Sequence, residues 1–139
     1  MRIMAFDYGT KRVGIAVTDP LQLIATALDT VHAKDVLEYV KAYLEKETVS
    51  TFVVGEPRQL DGTESESAQH VRGFIRALRR TFPAVPVDTI DERFTSKMAS
   101  TSIAQSGITK KKRQDKSLID RVSAVLILQS YLERRDFQG

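Results

Sequence analysis

The sequence predicts an α/β protein in which helices flank a mixed β-sheet. Short apolar segments joined by a tight turn come first, and strand-like segments then alternate with amphipathic helices. That order is typical of a sheet whose later strands run parallel. The length of 139 residues, with 42% hydrophobic side chains, provides one adequate core. We therefore expect a single domain over residues 1–139.

The strand predictions rest on short apolar runs bounded by turn residues. RIMAFDY and GIAVTD, joined by the turn-like GTKR, predict a hairpin at the start of the chain. A third strand is expected within the next segment through ATALDTV, where the alternation is loose. TFVVGEP and VDTI are the last two predicted strands. The predicted strands cover residues 2–8, 14–19, 22–32, 51–57 and 87–90.

Apolar residues at helical spacing predict four helices. In the second, four apolar side chains point inward and four arginines outward: Val71, Phe74, Ile75 and Leu78, against Arg72, Arg76, Arg79 and Arg80. The last helix is apolar nearly all round, through Val122, Val125, Leu126, Ile127, Leu128 and Leu132, which indicates burial against the sheet. The predicted helices cover residues 35–46, 65–82, 95–106 and 117–135, the third ending at Gly107.

Composition excludes several classes of function. The chain contains no cysteine, which removes disulfides, thiolate nucleophiles and cysteine-rich zinc sites. The opening turns polar too early for a secretory signal, and no apolar run is long enough for a bilayer, so we expect a cytoplasmic protein without a membrane partner. Lysine and arginine exceed aspartate and glutamate by 21 to 18, a mild bias toward polyanions.

Carboxylates stand where ligands gather in such sheets, beyond the carboxyl ends of the strands. Asp7 ends the first strand, Asp91 and Glu92 follow the last one, and Asp120 falls in the first turn of the last helix. Each acid also has a purely structural explanation. Asp7 could form an Asx turn, and Asp91 or Glu92 could form a surface ion pair with Arg93. Asp120 could be favoured by the helix dipole.

Convergence of Asp7, Glu92 and Asp120 would predict a metal site. Three neighbouring carboxylates repel one another unless a divalent cation neutralises them. Oxygen-only ligands select Mg²⁺ or Mn²⁺ rather than zinc. Two such ions could activate water and stabilise the leaving oxygen in phosphodiester hydrolysis, which indicates a nuclease.

Basic residues near these acids are candidate phosphate ligands. Lys11 and Arg12 follow Asp7, and Arg93 follows Glu92. The segment GITKKKRQDK is a basic loop that either is simply solvated or contacts phosphates through Lys110, Lys111, Lys112 and Arg113.

Four motifs together resemble the YqgF, or RuvX-like, family of Holliday-junction resolvases. They are DYGTKRVGIAVTD (7–19), VVGEPRQLDGTES (53–65), DERFTS (91–96) and LIDRVSAVLILQSYL (118–132). The resemblance covers essentially the whole chain, with the motifs in the same order and at compatible spacing. One small departure is Ser123 in place of the first alanine of the usual pair after the last acid.

This resemblance implies an RNase H-like fold with a mixed five-stranded sheet and a nuclease that matures the 5′ end of pre-16S ribosomal RNA. It implies Asp7, Glu92 and Asp120 as the catalytic and metal-binding acids, although the choice of Glu92 over Asp91 stays open. It also makes the loop that contains Arg58 a candidate rim of the site.

The sequence leaves other functions open. The chain could resolve Holliday junctions in DNA, or bind RNA without catalysis through its basic loop. A kinase or ATPase of the actin class also opens with DYGT and a hairpin, but one domain lacks the second wall of its nucleotide cleft. The expected partner is nucleic acid, either pre-rRNA or branched DNA, and the expected state is a monomer or weak homodimer.

Overall fold

The computed structural model describes residues 1–56, 68–91 and 116–138, and it describes the side chains of all of these except residues 116–120 and 136–138. Within these ranges the chain forms five strands and three helices. Their order is β1 (Arg2–Tyr8), β2 (Arg12–Thr18), β3 (Ala25–His32), α1 (Val36–Lys46), β4 (Val49–Glu56), α2 (Ala68–Thr81), β5 (Val87–Asp91) and α3 (Lys116–Gln138).

The five strands form one mixed sheet in the order β3-β2-β1-β4-β5. The central strand β1 pairs antiparallel with β2 and parallel with β4. The outer pairs are β2 with β3, antiparallel, and β4 with β5, parallel. The predicted mixed five-stranded sheet is therefore confirmed, and the carboxyl ends of β1, β4 and β5 lie at one edge.

One face of the sheet is covered by α1 and α2. Alternate side chains of β1, including Met4 and Phe6, are fully buried on this face. The Phe6 ring makes edge-to-face contacts with Phe52 of β4 and Phe74 of α2, at centroid distances of 5.7 and 5.3 Å. The apolar side of α2 is the predicted one, with Val71, Phe74, Ile75 and Leu78 all buried.

The other face of the sheet is covered by α3. Ile3 and Ala5 of β1 point this way and form a second core cluster. The helix contributes its buried residues Ala124, Ile127, Leu128 and Leu132 to it. The predicted burial of this helix against the sheet is confirmed, and its other apolar residues Val122, Val125 and Leu126 are half-buried.

Most element boundaries fall within three residues of the prediction. Strand β2 starts two residues early because Arg12 already pairs with His32 of β3. Strand β4 starts at Val49, which pairs with Arg2 at the beginning of β1. The helix predicted over 95–106 lies outside the described residues. No helix in the described ranges is both long and apolar enough to cross a membrane.

Candidate functional site

Asp7 lies near the carboxyl end of the central strand. Its neighbours Phe6 and Tyr8 point to the opposite face, where the Tyr8 ring stacks on Phe74 at 4.5 Å between centroids. Strand alternation therefore directs the half-buried Asp7 side chain to the face covered by α3, in line with Ile3 and Ala5. The packing of its neighbours fixes the direction in which this carboxylate points.

Two buried glycines flank Asp7 in the sheet. Gly14 of β2 is its direct partner across the antiparallel pair. On β4, Gly55 comes one residue after Val54, the partner of Phe6. A glycine inside a strand is a recognised sign of close approach by a ligand or backbone. These glycines are not among the predicted site residues, although their position within apolar strands was a signal in the sequence.

The turn after Asp7 brings Lys11 and Arg12 to the same edge, as predicted. The Gly9 amide donates to the Arg12 carbonyl at 2.9 Å, so the turn is tight. Lys11 is exposed, and Arg12 is half-buried at the start of β2. By the register of the β1–β2 pair, Arg12 shares the face of Gly14 and Asp7. Both cations can therefore meet an anion that approaches Asp7.

The direction of α3 follows from contacts near its carboxyl end. The Arg135 guanidinium donates to the side-chain and backbone oxygens of Gln22, in the loop between β2 and β3. Gln22 in turn donates to the carbonyl of Met1 at 2.9 Å. The carboxyl end of α3 therefore lies beside the start of β1, and the helix runs antiparallel to that strand.

This orientation brings the backbone of Asp120 toward Asp7. From Asp120 to Arg135 a helix advances about 22 Å. From Met1 to Asp7 a strand advances about 20 Å. Because the two elements start from a shared end and run side by side, Asp120 is placed at the same edge of the sheet as Asp7.

The prediction that Asp120 lies in the first helical turn is wrong. The helix begins at Lys116, so Asp120 is its fifth residue. The dipole of a helix acts mainly within its first turn, so it gives less reason for an acid at position 120. Position 120 shares a helix face with Ala124 and Ile127, which are fully buried against the sheet.

The sheet face on which Asp91 lies bears on whether Asp91 or Glu92 is the second acid of the site. Asp91 alternates with Val87, which packs in the α2 layer, and with Thr89, which lines a cleft beside α2. Ile90 and Asp88 belong to the other face, where Ile90 packs in the α3 layer and Asp88 binds Arg134 at 3.4 Å. Asp91 therefore lies on the opposite face of the sheet from Asp7.

The other predicted site residues lie outside the described ranges. These are Glu92, Arg58, Arg93, Lys110, Lys111, Lys112 and Arg113. Among the residues that are described, no three histidine, aspartate or glutamate side chains are grouped closely enough to hold a metal ion. The described part of the site thus consists of Asp7, its two flanking glycines, Lys11, Arg12 and the backbone at Asp120.

Solved structures share this architecture over nearly its full length. The Thermus thermophilus RuvC in complex with a Holliday junction substrate has a TM-score of 0.62 and 18% identity, covering 100% of this chain and 98% of that one. The fowlpox virus resolvase in complex with Holliday junction DNA has a TM-score of 0.57 and 12% identity, covering 97% and 99%. At these identities the similarity establishes the fold, and the predicted RNase H-like fold is confirmed.

Sequence relatives are much more similar. A Porphyromonas gingivalis protein named "Putative pre-16S rRNA nuclease" is 50% identical over 135 residues, covering 97% of this chain and 98% of the relative. A Parabacteroides distasonis protein of the same name is 48% identical over 137 residues, covering 99% and 98%. The predicted nuclease class agrees with these names.

The family model that matches this sequence is described as "RuvX: Holliday junction resolvase", and it spans residues 1–134. This match covers all four motifs on which the predicted resemblance rests. The chain belongs to the RuvX family.

Proposed function

We propose that this chain is a single-domain, divalent-metal-dependent nuclease that processes the 5′ end of pre-16S rRNA in the cytoplasm. Its catalytic carboxylates are Asp7, Glu92 and Asp120. The observation that carries the proposal is the antiparallel run of α3 along β1, which brings Asp120 to the edge where Asp7 ends its strand. The names of the relatives support the choice of substrate.

The residues at this edge fit a hard cation. Asp7 offers carboxylate oxygens beside two residues that have no side chain, Gly14 and Gly55. With no cysteine in the chain, oxygen ligands favour Mg²⁺ or Mn²⁺. Such ions, when bound, activate water and stabilise the charge that develops on the leaving oxygen.

The chain itself binds and orients the substrate. Lys11 and Arg12 lie beside Asp7 and attract the phosphate that is to be cleaved. Arginine can hold phosphate oxygens in bidentate fashion, which fixes the orientation of the scissile bond. Arg58, Arg93 and the basic run Lys110, Lys111, Lys112 and Arg113 extend this phosphate-binding surface in the proposal.

A second candidate function is Holliday-junction resolution. It is favoured by the description of the family model and by the fold shared with resolvases in complex with junction DNA. Symmetric cleavage of a four-way junction requires two sites related by a two-fold axis, and hence a dimer. We propose that this chain is a monomer or weak homodimer, and its mass in solution decides whether two sites can be paired in this way.

The test is a metal-titrated cleavage assay on two substrates side by side, a 16S rRNA precursor and a four-way DNA junction. We expect Mg²⁺- or Mn²⁺-dependent cleavage of the RNA at its 5′ flank, which Asp7→Asn abolishes while the circular dichroism spectrum is unchanged. Preferred cleavage of the junction, with a dimeric mass in solution, would establish the second function instead. Binding of RNA without cleavage at any metal concentration would show a non-catalytic RNA-binding module.

A further inference from the structure

We propose that the outer side of α2 is a second contact surface for the phosphate backbone of single-stranded nucleic acid. The surface consists of Arg76, Arg79 and Arg80, with Arg72 at the end nearest the catalytic edge, and we call it the α2 arginine surface. The inference rests on the proposed nuclease function, because the polyanion is taken to be the substrate of that site.

The composition of α2 is unusual for a merely solvated helix. Its 14 residues, AQHVRGFIRALRRT, include four arginines and no acid. Two pairs, Arg72 with Arg76 and Arg76 with Arg80, stand four residues apart, where like charges destabilise a helix. The helix dipole favours Arg79 and Arg80 in the last turn, and Arg72 has an interaction of its own, but neither gives a reason for Arg76. A bound anion would remove the repulsion.

Three of these arginines line one cleft. Arg72, Arg76 and Arg79 surround a space of about 300 Å³, together with Ile75 and Thr89. Arg76, Arg79 and Arg80 are exposed and make no ion pair with any other described residue. Their guanidinium groups are therefore available to a ligand, and guanidinium suits phosphate oxygens in bidentate geometry.

One acid restricts where an anion can bind in this cleft. Glu56, at the end of β4, also lines it, on the side of Arg72 and the strand ends. Glu56 and Arg72 both have interactions within the protein, which leaves Arg76 and Arg79 as the cations of the cleft that a phosphate can engage. These two residues are the expected primary contacts.

The position of α2 connects this surface with the catalytic edge. Strands β4 and β5 are parallel, so the intervening α2 runs back from their carboxyl ends toward their amino ends. Arg72 comes first and lies nearest the edge that carries Asp7, and from Arg72 to Arg79 the helix advances about 10 Å. A strand of nucleic acid that passes over this edge can therefore continue along α2, on the other face of the sheet.

The test measures binding separately from cleavage, in EDTA with the full-length chain. The probes are a fluorescent oligouridylate of about 12 nucleotides, comparable to the site of a single-strand-binding domain, and a polyglutamate peptide of similar length. The variant is Arg76→Gln/Arg79→Gln. The matched control, Lys41→Gln/Lys46→Gln, removes two exposed cations from α1, which packs against β3 at the far end of the sheet.

We expect the arginine variant to bind oligouridylate roughly 20-fold more weakly at about 0.1 M salt, with the slope of log K against log salt reduced by about 1.4. The control should change affinity less than about threefold, because its charges lie away from the phosphate path. Arg76→Lys/Arg79→Lys, which keeps the charges, should retain the slope. If the double glutamine variant unfolds, the single variants Arg76→Gln and Arg79→Gln replace it, and each should reduce the slope by about 0.7.

The outcomes separate this inference from the proposed function. An unchanged affinity and salt slope in Arg76→Gln/Arg79→Gln would overturn the inference, even if the chain cleaves RNA. Loss of polyglutamate binding alone would also overturn it and would indicate an acidic protein partner. Loss of oligouridylate binding in a chain that cleaves no RNA would support the inference while the proposed nuclease function fails.

Discussion

The Arg135 guanidinium donates to the backbone carbonyl of Gln22 at 3.3 Å, joining residues that are 113 positions apart in the chain. Gln22 adopts a φ of 60° and also donates to the Met1 carbonyl, so one residue connects the last helix to the start of the central strand. This link fixes which end of α3 faces the catalytic edge. The position of Asp120 depends on it.

Arg135→Ala should reduce the free energy of unfolding by about 1–3 kcal/mol, because charge-assisted hydrogen bonds to Gln22 are lost in a partly buried place. The measurement is urea denaturation followed by circular dichroism. Gln129→Ala is the control, since Gln129 is an exposed residue of the same helix. Equal stability of the two variants would show that the contact with Gln22 does not hold the helix in place.

Two Gly→Ala substitutions should have opposite effects. A Cβ at Gly9 would lie 2.8 Å from the Arg12 carbonyl oxygen, so Gly9→Ala must distort the turn and should cost about 1–3 kcal/mol. At Gly73, inside α2, the nearest atom is the Nη2 of Arg76 at 3.9 Å, so Gly73→Ala should stabilise by about 0.5–1 kcal/mol. Thermal unfolding of both variants checks this, and the same sign for both would contradict the turn geometry.

Asp91 and Glu92 should differ sharply in their importance for cleavage. Asp91 lies on the face of α2, away from Asp7, so Asp91→Asn should retain activity within about threefold. Glu92→Gln should reduce activity at least about 100-fold, since even residues that only support a metal ligand cost 10–100-fold when replaced. Initial cleavage rates at saturating metal decide between the two, and a larger loss in Asp91→Asn would reverse the assignment.

Asp19 should make stability depend on pH in the acid range. The amide of Ile24 contributes most to lowering the pKa of Asp19 below its ordinary value of 3.8, helped by the amides of Leu23 and Leu21 and opposed by burial. The ionised Asp19 therefore stabilises the folded chain above pH 3.8, and this contribution is lost as the pH falls below that value. The difference in Tm between wild type and Asp19→Asn should shrink between pH 5 and pH 2. A constant difference would show that the charge of Asp19 is irrelevant.

Periodicity predicted the five strands and three described helices because each element buries one regular face. Phe74 and Leu78, for example, follow the helical spacing of α2. Sequence could not predict the direction of α3 relative to β1, since this depends on contacts such as Arg135 with Gln22 that span most of the chain. It also could not choose between Asp91 and Glu92, because adjacent strand residues face opposite ways and only the packing of Val87 and Ile90 identifies the faces.

For the candidate site, sequence identified Asp7 as a strand-ending acid, and the structure adds the glycine on each side of it. Gly14 and Gly55 become meaningful only through strand pairing, which places both next to one side chain. The wrong prediction about Asp120 comes from the position of the helix start. The helix was predicted to start at residue 117, and its observed start at Lys116 moves the acid beyond the first turn.

The most direct test of convergence between Asp7 and Asp120 is an Mn²⁺ titration of the full-length chain without nucleic acid, with the free ion followed by electron paramagnetic resonance. We predict binding by the wild type that weakens at least about tenfold in both Asp7→Asn and Asp120→Asn, since each removes a ligand of one shared site. Asp91→Asn should bind as the wild type does. Unchanged Mn²⁺ affinity in either Asp7→Asn or Asp120→Asn would contradict the account.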